Sequence, residues 1–356
     1  MLFRSNGGGV GGWTAQVRSN SPKRLNRLLL TNPVIASLVD CEFDDSNAFL
    51  NQGWYDNVIA VDPKDANRVW VGGIDLFRSD DAGKNWGVVS YWWAKDATST
   101  APSYAHADQH AIVFHPAYNG TTNQIVYVGN DGGIFRSTNA RATKAAGLGV
   151  CDPNVGQVVW RSLNNNYTAT QFYHGAVYPN GTTYFGGTQD NGTVRGTDAL
   201  GRNRWAEING GDGGYVAVDP TDTSVLFAEN TGLSIAKSTD GGATFDDATD
   251  GILDSGFAFI APFTLDPSGP KRLWTGGFFI WRTTDGAGTW QRASEVVAGP
   301  DTSVVSAVGI APSDPNRVLV GLSEGFIHRN ESALTANAST EWEVVRPREG
   351  NVSSLA

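Results

Sequence analysis

The chain has little cysteine, little positive charge and no long apolar run. Its 356 residues include two cysteines, Cys41 and Cys151. Two are too few for a disulfide framework and lack metal-ligand spacing, which leaves either one bridge or two buried thiols. Lys and Arg number 26 against 36 Asp and Glu, a net charge of −10, and charged residues are only 17% of the chain. Affinity for nucleic acid or anionic membrane rests on neutralising phosphates with Lys and Arg, so neither is an expected partner. No stretch approaches the roughly 18 consecutive apolar residues of a membrane span. No basic segment followed by an apolar one opens the chain as a signal peptide would. No 11-residue window shows helical periodicity.

What is abundant points elsewhere. Glycine is 43 of 356, about 12% against a usual share of roughly 7%. Proline, at 15, is close to average, so the glycine fits many tight turns and not collagen or a disordered tail. Hydrophobic residues at 40%, with 12 Trp among them, supply a large core. Low charge with many Gly, Thr, Asn and aromatic residues suits a secreted β protein. Length alone suggests two or three domains, but the chain repeats itself, and the repeat decides the organisation.

One unit recurs: an apolar strand, a proline turn, a second apolar strand ending in Gly or Asp, a third strand with an aromatic and Arg, then an acidic glycine turn before Trp. It runs through Val58-Ile59-Ala60-Val61-Asp62-Pro63, Arg68-Val69-Trp70-Val71-Gly72-Gly73 and Leu76-Phe77-Arg78-Ser79. It returns in Ala111-Ile112-Val113-Phe114-His115-Pro116, Ile125-Val126-Tyr127-Val128-Gly129 and Ile134-Phe135-Arg136-Ser137. Further copies pass Pro179, Pro220, Pro267 and Pro312, giving proline spacings of 53, 63, 41, 47 and 45 residues. That is the period of a four-stranded propeller blade. The expected fold is all-β, a β-propeller of four-stranded antiparallel blades. Seven blades are expected, with six or eight as alternatives. Leu2-Phe3-Arg4-Ser5 matches a third strand, and 351–356 reads as a first strand. Strands in 1–18 and 351–356 sharing a closing blade would make 1–356 one propeller without exposed sheet edges. A fragment of a longer repeat protein is the alternative. Leu25 to Asn51 reads as a further, degraded blade.

In a propeller the loop entering the first strand and the loop joining strands two and three share a rim around the channel, the usual place for ligands. Entry loops supply Trp54, Tyr55, Asp56, His106, Asp108, His110, Tyr173, Asp212 and Tyr215; strand two-three loops supply Asp131, Gln189, Asp190 and Asn191. Alternation along a strand would point His106, Asp108 and His110 to one face. Two imidazoles and a carboxylate can bind a divalent metal, act in proton transfer, or form a polar network that satisfies itself. No cofactor is favoured. Asp131 and Asp190 hold equivalent positions in neighbouring copies, where adjacent blades would set them within roughly 5 to 10 Å, the range of a glycosidase acid and base. Asp-Gly-Gly and Asp-Asn-Gly are also plain turn chemistry. Asp131, Asp190 and Asp108 are the candidate catalytic residues. Trp54, Tyr55, Asp56, His106, His110, Tyr173, Gln189, Asn191, Asp212 and Tyr215 are candidates for substrate binding, by stacking and hydrogen bonding to sugar.

Ser79-Asp80-Asp81-Ala82-Gly83-Lys84-Asn85-Trp86 has the form Ser/Thr-x-Asp-x-Gly-x-x-Trp, repeated at Ser238 to Phe245 and, with Ala287 in the glycine position, at Thr283 to Trp290. The aspartate can cap backbone N–H groups, glycine supplies positive φ, and the aromatic ring tucks beneath. This turn resembles the Asp box of the neuraminidase-type (BNR) repeat superfamily, and residues 52 to 346 fit that repeat. The superfamily includes sialidases, sortilin-type receptors and glycoside hydrolase family 74. Sialidases fit poorly, since their arginine triad and Phe-Arg-Ile-Pro segment are absent. Asn130-Asp131-Gly132-Gly133-Ile134-Phe135-Arg136 is similar to the family 74 loop carrying the first catalytic aspartate, so the resemblance places that role on Asp131. Those enzymes carry the second aspartate on another propeller. Gln52 to Asp56, His106 to Ala111, Asn130 to Gly133 and Gly187 to Thr193 also resemble secreted bacterial repeat proteins labelled glycosyl hydrolase. The resemblance implies a secreted glycosidase acting on a glucan- or xyloglucan-like polysaccharide, with a glycan- or protein-binding propeller as the alternative. Oligomeric state is not legible.

Overall fold

The computed structural model describes residues 2–5, 10–18, 20, 52–90, 104–146, 156–165, 170–297 and 303–355. Cys41, Cys151 and the suggested blade at 25–51 lie outside them. The described residues form seven antiparallel sheets, six four-stranded and one two-stranded, with no α-helix among them. This is the expected all-β architecture of propeller-type blades, and the count of sheets is seven. The chain divides into two compact units, Met1–Tyr167 and Thr168–Ala356.

In the first unit Leu2–Ser5 pairs with Trp13–Val17, and blades follow at 58–90 and 109–162. The second unit holds blades at 172–209, 213–247, 263–292 and 305–345. In each four-stranded blade strands consecutive in sequence are neighbours in the sheet. The strand expected at 351–356 is not seen over its described residues, 351–355. These residues lie instead on the last blade, where the Val352 amide donates to Leu322 O and the Ser306 hydroxyl donates to Val352 O at 2.8 Å.

Second strands are apolar on both faces because each lies inside a stack of blades. Trp70, Phe227 and Trp274 are fully buried there. Core clusters span neighbouring blades: Trp70 and Leu76 pack with Ile112, Val126, Val128 and Trp160 of the next blade. In the Asp-Pro turns, Asp62, Asp219 and Asp266 each accept the amide two residues on, from Lys64, Thr221 and Ser268, at 2.7–2.8 Å. The carboxylate thereby closes the turn that proline opens.

Blades are tied together through their third strands. Arg78 donates to the carbonyls of Ala140 and Ala142 in the following blade. Arg195 reaches Gly241 O, Lys237 reaches Gly286 O at 2.7 Å, and Arg282 reaches Ala333 O. Arg78 and Arg282 also lie over the Trp70 and Trp274 rings at 5.7 and 5.4 Å, so each buried cation meets a π face and a carbonyl. Tryptophans answer in the other direction: the indoles of Trp160, Trp290 and Trp342 donate to Val89 O, Ala248 O and Ala293 O of the preceding blade. At Arg78, Arg195, Lys237 and Arg282 the third-strand basic residue is a staple between blades.

The three acidic turns share one geometry. Asp81 Oδ1 accepts the Lys84 and Asn85 amides, Asp240 Oδ1 those of Ala243 and Thr244, and Asp285 Oδ1 those of Gly288 and Thr289, all at 2.8–3.1 Å. The preceding Ser79, Ser238 or Thr283 hydroxyl binds the carboxylate and accepts the amide of Gly83, Gly242 or Ala287. Ala287 stands at φ 61° where its counterparts are glycine, a conformation held by the hydrogen bonds around it. These turns sit at the far end of the third strand from the strand two-three loops, a strand length of roughly 13 Å away.

Candidate functional site

The two rim loops converge as expected within the first unit. The Asp108 and Gln109 amides that enter one blade donate to Ile74 O and Gly73 O, in the strand two-three turn of the blade before. Those bonds position an acidic and aromatic cluster. The Tyr55 hydroxyl donates to Asp131, 3.0 Å from each oxygen, and His110 Nε2 lies 2.6 Å from Asp131 Oδ1. The Tyr55 and His110 rings meet edge to face at 4.9 Å, and the Trp54 ring is 5.7 Å from Tyr55. Trp54 is 82% exposed, an open aromatic face beside a carboxylate held by two partners.

Asp108, half-buried, stands two residues before His110. Its φ is 62°, a left-handed conformation that Asp tolerates better than most residues, and Gln52 Nε2 donates to its Oδ1 at 3.3 Å. Asp56 is fully buried. Burial pushes its carboxyl up, against the opposing pull of its own amide, the Asp108 side chain and His110.

The metal reading of His106, Asp108 and His110 is corrected. The strand begins at Gln109, and Asp108 with its positive φ interrupts the alternation that would have pointed the three together. His106 packs on Gly132, where an added Cβ would lie 2.3 Å from its own, and its Nδ1 is 3.3 Å from Ala107 O. His110 turns to Asp131 instead. Among the described residues no group of three His, Cys, Asp or Glu side chains is arranged to hold a metal ion. Asp56, suggested as a sugar contact, is buried away from any ligand.

In the second unit Asp190, with φ 58°, donates its amide to Asp212 Oδ1 at 2.7 Å. Asn191 donates to Thr170 Oγ1 and Gln189 O at 3.0 and 2.9 Å, which is turn chemistry. Tyr173 is half-buried; desolvation, Asp212 and Asp190 raise its phenol, and its ring lies 6.4 Å from Phe259. Tyr215 stacks on His174 at 4.5 Å.

Two residues at the rims escaped the sequence reading. Gln52 holds Asp108. Glu229, fully buried, accepts the Tyr215 amide on Oε2 and the Ala261 amide on Oε1, both at 2.8 Å, so it bridges two blades. Burial pushes Glu229 up to about 8, with the two amides pulling the other way. Its signal was present: it is the one charged residue in the apolar strand Leu226–Asn230. Fold and rim together define a propeller-type β protein with carboxylates and aromatic side chains at its loops.

No family model matches the chain, and no curated protein matches it. Among solved structures it is similar to a GH74 enzyme from Niastella koreensis at 15% identity, covering 82% of this chain and 51% of that one, with a TM-score of 0.29. A GH74 xyloglucanase from Xanthomonas campestris is similar at 19% identity, 82% and 46% coverage and a TM-score of 0.28. A β-propeller domain from Myceliophteria thermophila shows 11% identity, 53% and 61% coverage and a TM-score of 0.40. The chain spans about half the length of the two GH74 structures. No helix among the described residues is long and apolar enough to cross a membrane.

Proposed function

We propose that the chain is a carbohydrate-active propeller of the Asp-box (BNR) kind that hydrolyses a glucan- or xyloglucan-like polysaccharide outside the cell, with Asp131 as base and Asp108 as acid. The observation that carries the reading is the Asp131 carboxylate, held by His110 and Tyr55 beside the exposed Trp54. A carboxylate fixed by two partners is oriented to activate a water, and an exposed indole offers a sugar ring a flat apolar face. Asp108 is preferred to Asp190 as the companion because it shares a unit and a buried carboxyl partner with that site. Inverting chemistry suits two carboxylates with a water between them. Tyr173, Asp190, Gln189, Asn191, Asp212 and Tyr215 of the second unit take a binding role of their own in this scheme, with hydroxyl and amide groups for sugar hydroxyls.

The test is a polysaccharide panel with product detection. Wild-type protein releases oligosaccharide from at least one glucan, and Asp131→Asn lowers the rate on the order of 10²- to 10⁴-fold. Turnover unchanged by Asp131→Asn refutes the assignment. Binding without product on every glycan leaves a non-catalytic glycan-binding propeller, for which Trp54 would serve equally well.

A further inference from the structure

The third-strand basic residue stands in a row that repeats from blade to blade. Directly opposed across three strands are Ala60, Trp70 and Arg78, then Ala217, Phe227 and Lys237, then Thr264, Trp274 and Arg282. Opposed residues share one face of the sheet. In each of these rows the middle ring is fully buried, and the cation lies 5.4–5.8 Å from its centre. The last blade keeps the row with smaller members, Gly309, Leu319 and Arg329. With leucine in the middle, Arg329 has no ring beneath it; its side chain is 53% exposed and donates to Glu331, two residues on. A cavity of about 530 Å³ opens over this row, a size typical of sites for small organic ligands. Residues 351–355 supply part of its wall. Val352 lies against Gly321 and Leu355 against Gly309, where an added Cβ would approach them to 2.4 and 3.0 Å. The Ser306 hydroxyl fixes Val352 O at 2.8 Å, so the segment is seated on the blade by two glycines and a hydrogen bond.

The lining is amphipathic. Ile310, Val318, Leu319 and Leu355 give apolar surface, while Arg317, Arg329 and Glu331 give charge. Two guanidiniums against one carboxylate leave one positive charge, in a chain whose net charge is −10. Arg317 is 62% exposed, and its ion pair with the exposed Asp314 is long, at 3.4 Å. Such a pair contributes little, and a guanidinium turned from it can take a carboxylate through two parallel N–H···O bonds. The lining carries no aromatic ring and no neutral polar side chain, so the hydroxyls of a sugar would lose water without side-chain partners to replace it. Hydrocarbon suits it better. We propose that this cavity binds a small amphiphile with an aliphatic body and one carboxylate, the body against Leu319 and Leu355 and the carboxylate on Arg317 and Arg329. The site lies within the second unit and takes no part in the hydrolase reading, so either stands without the other.

Isothermal titration calorimetry of the whole chain near neutral pH, with octanoate, 1-octanol and octylammonium as probes, tests the proposal. Octanoate is expected to bind one per chain, about tenfold more tightly than 1-octanol, and octylammonium more weakly than either. Affinity rises roughly threefold for each CH₂ added from hexanoate to octanoate. The Arg317→Gln/Arg329→Gln double variant, altered only at exposed side chains, loses the tenfold preference and keeps the affinity for 1-octanol. Leu319→Trp restores the ring that the other rows carry and abolishes binding of both probes. Methyl NMR of the wild type reads the site without any substitution: the Leu319 and Leu355 signals shift as octanoate is added. No binding of octanoate up to about 1 mM, shifts confined to other methyl groups, or a preference for octanoate that survives the double arginine variant overturns the proposal.

Discussion

Replacing Glu229 by glutamine removes the pH dependence of stability at one buried site. Glu229 is fully buried and faces two backbone amides and no cation, and burial lifts it from 4.5 to about 8. Its folded state therefore keeps a proton that the unfolded chain releases above about pH 4.5. Between that pH and about 8 the unfolded state binds fewer protons, so stability falls as pH rises. Below 4.5 the group contributes no difference, and above 8 the penalty is constant. A shift of that size at 1.36 kcal/mol per unit corresponds to about 5 kcal/mol, with a slope of at most about 1.4 kcal/mol per pH unit. In the Glu229→Gln variant the side chain would not titrate. Its amide oxygen would accept one of the two N–H groups, while its NH₂ would face the other and cost about 1–3 kcal/mol. The two effects have opposite signs at opposite ends of the range. The variant is thus expected to be less stable than wild type near pH 5 and more stable near pH 9, with crossing curves. Denaturant unfolding followed by tryptophan fluorescence measures this, and hydrogen exchange at the Tyr215 and Ala261 amides reports the site locally, since two compact units need not unfold together. Parallel curves for the two proteins would show that Glu229 is ionised in the fold and refute the reasoning.

Other consequences follow from the same geometry. Trp54→Ala should weaken glycan binding about tenfold, a loss of about 1.4 kcal/mol, measured by isothermal titration calorimetry with thermal stability unchanged because the ring is exposed. Asp81→Ala should cost about 1 kcal/mol, as loss of a helix cap does, read from the denaturation midpoint. Hydrogen bonds hold the carboxyls of Asp81, Asp240 and Asp285 below the ordinary range. The stability they contribute is present above about pH 4 and is lost on acidification, so a triple alanine variant should show a shallower acid limb than wild type. Trp274→Ala, which empties a fully buried ring site, should cost about 3–5 kcal/mol, and a smaller loss by calorimetry would show that the blades close over the gap.

Much of the architecture was legible because propeller blades are local. Each strand neighbours the next in sequence, so periodicity alone located Val69–Gly72, Leu273–Gly276 and their copies. The acidic turns were equally readable, since Asp81, Asp240 and Asp285 bond only residues within four positions. Convergence of the entry and strand two-three loops also followed from topology. The alternation argument at His106, Asp108 and His110 failed because it assumed a strand three residues too long at its start. Asp56 read as a rim residue because it lies in the loop entering a first strand, and Glu229 was passed over because nothing in its own strand names its partners.

The sequence by itself determined the blade, its period and its turns, because the hydrogen bonds and apolar faces that build a blade lie within about 50 residues of one another. Tertiary structure decided which side chains lose their water. Asp131 gains His110 and Tyr55, 21 and 76 positions away, Glu229 gains an amide 32 positions on, and Asp56 is enclosed beside Asp108. Desolvation depends on everything packed around a group, and local sequence carries no record of that surrounding.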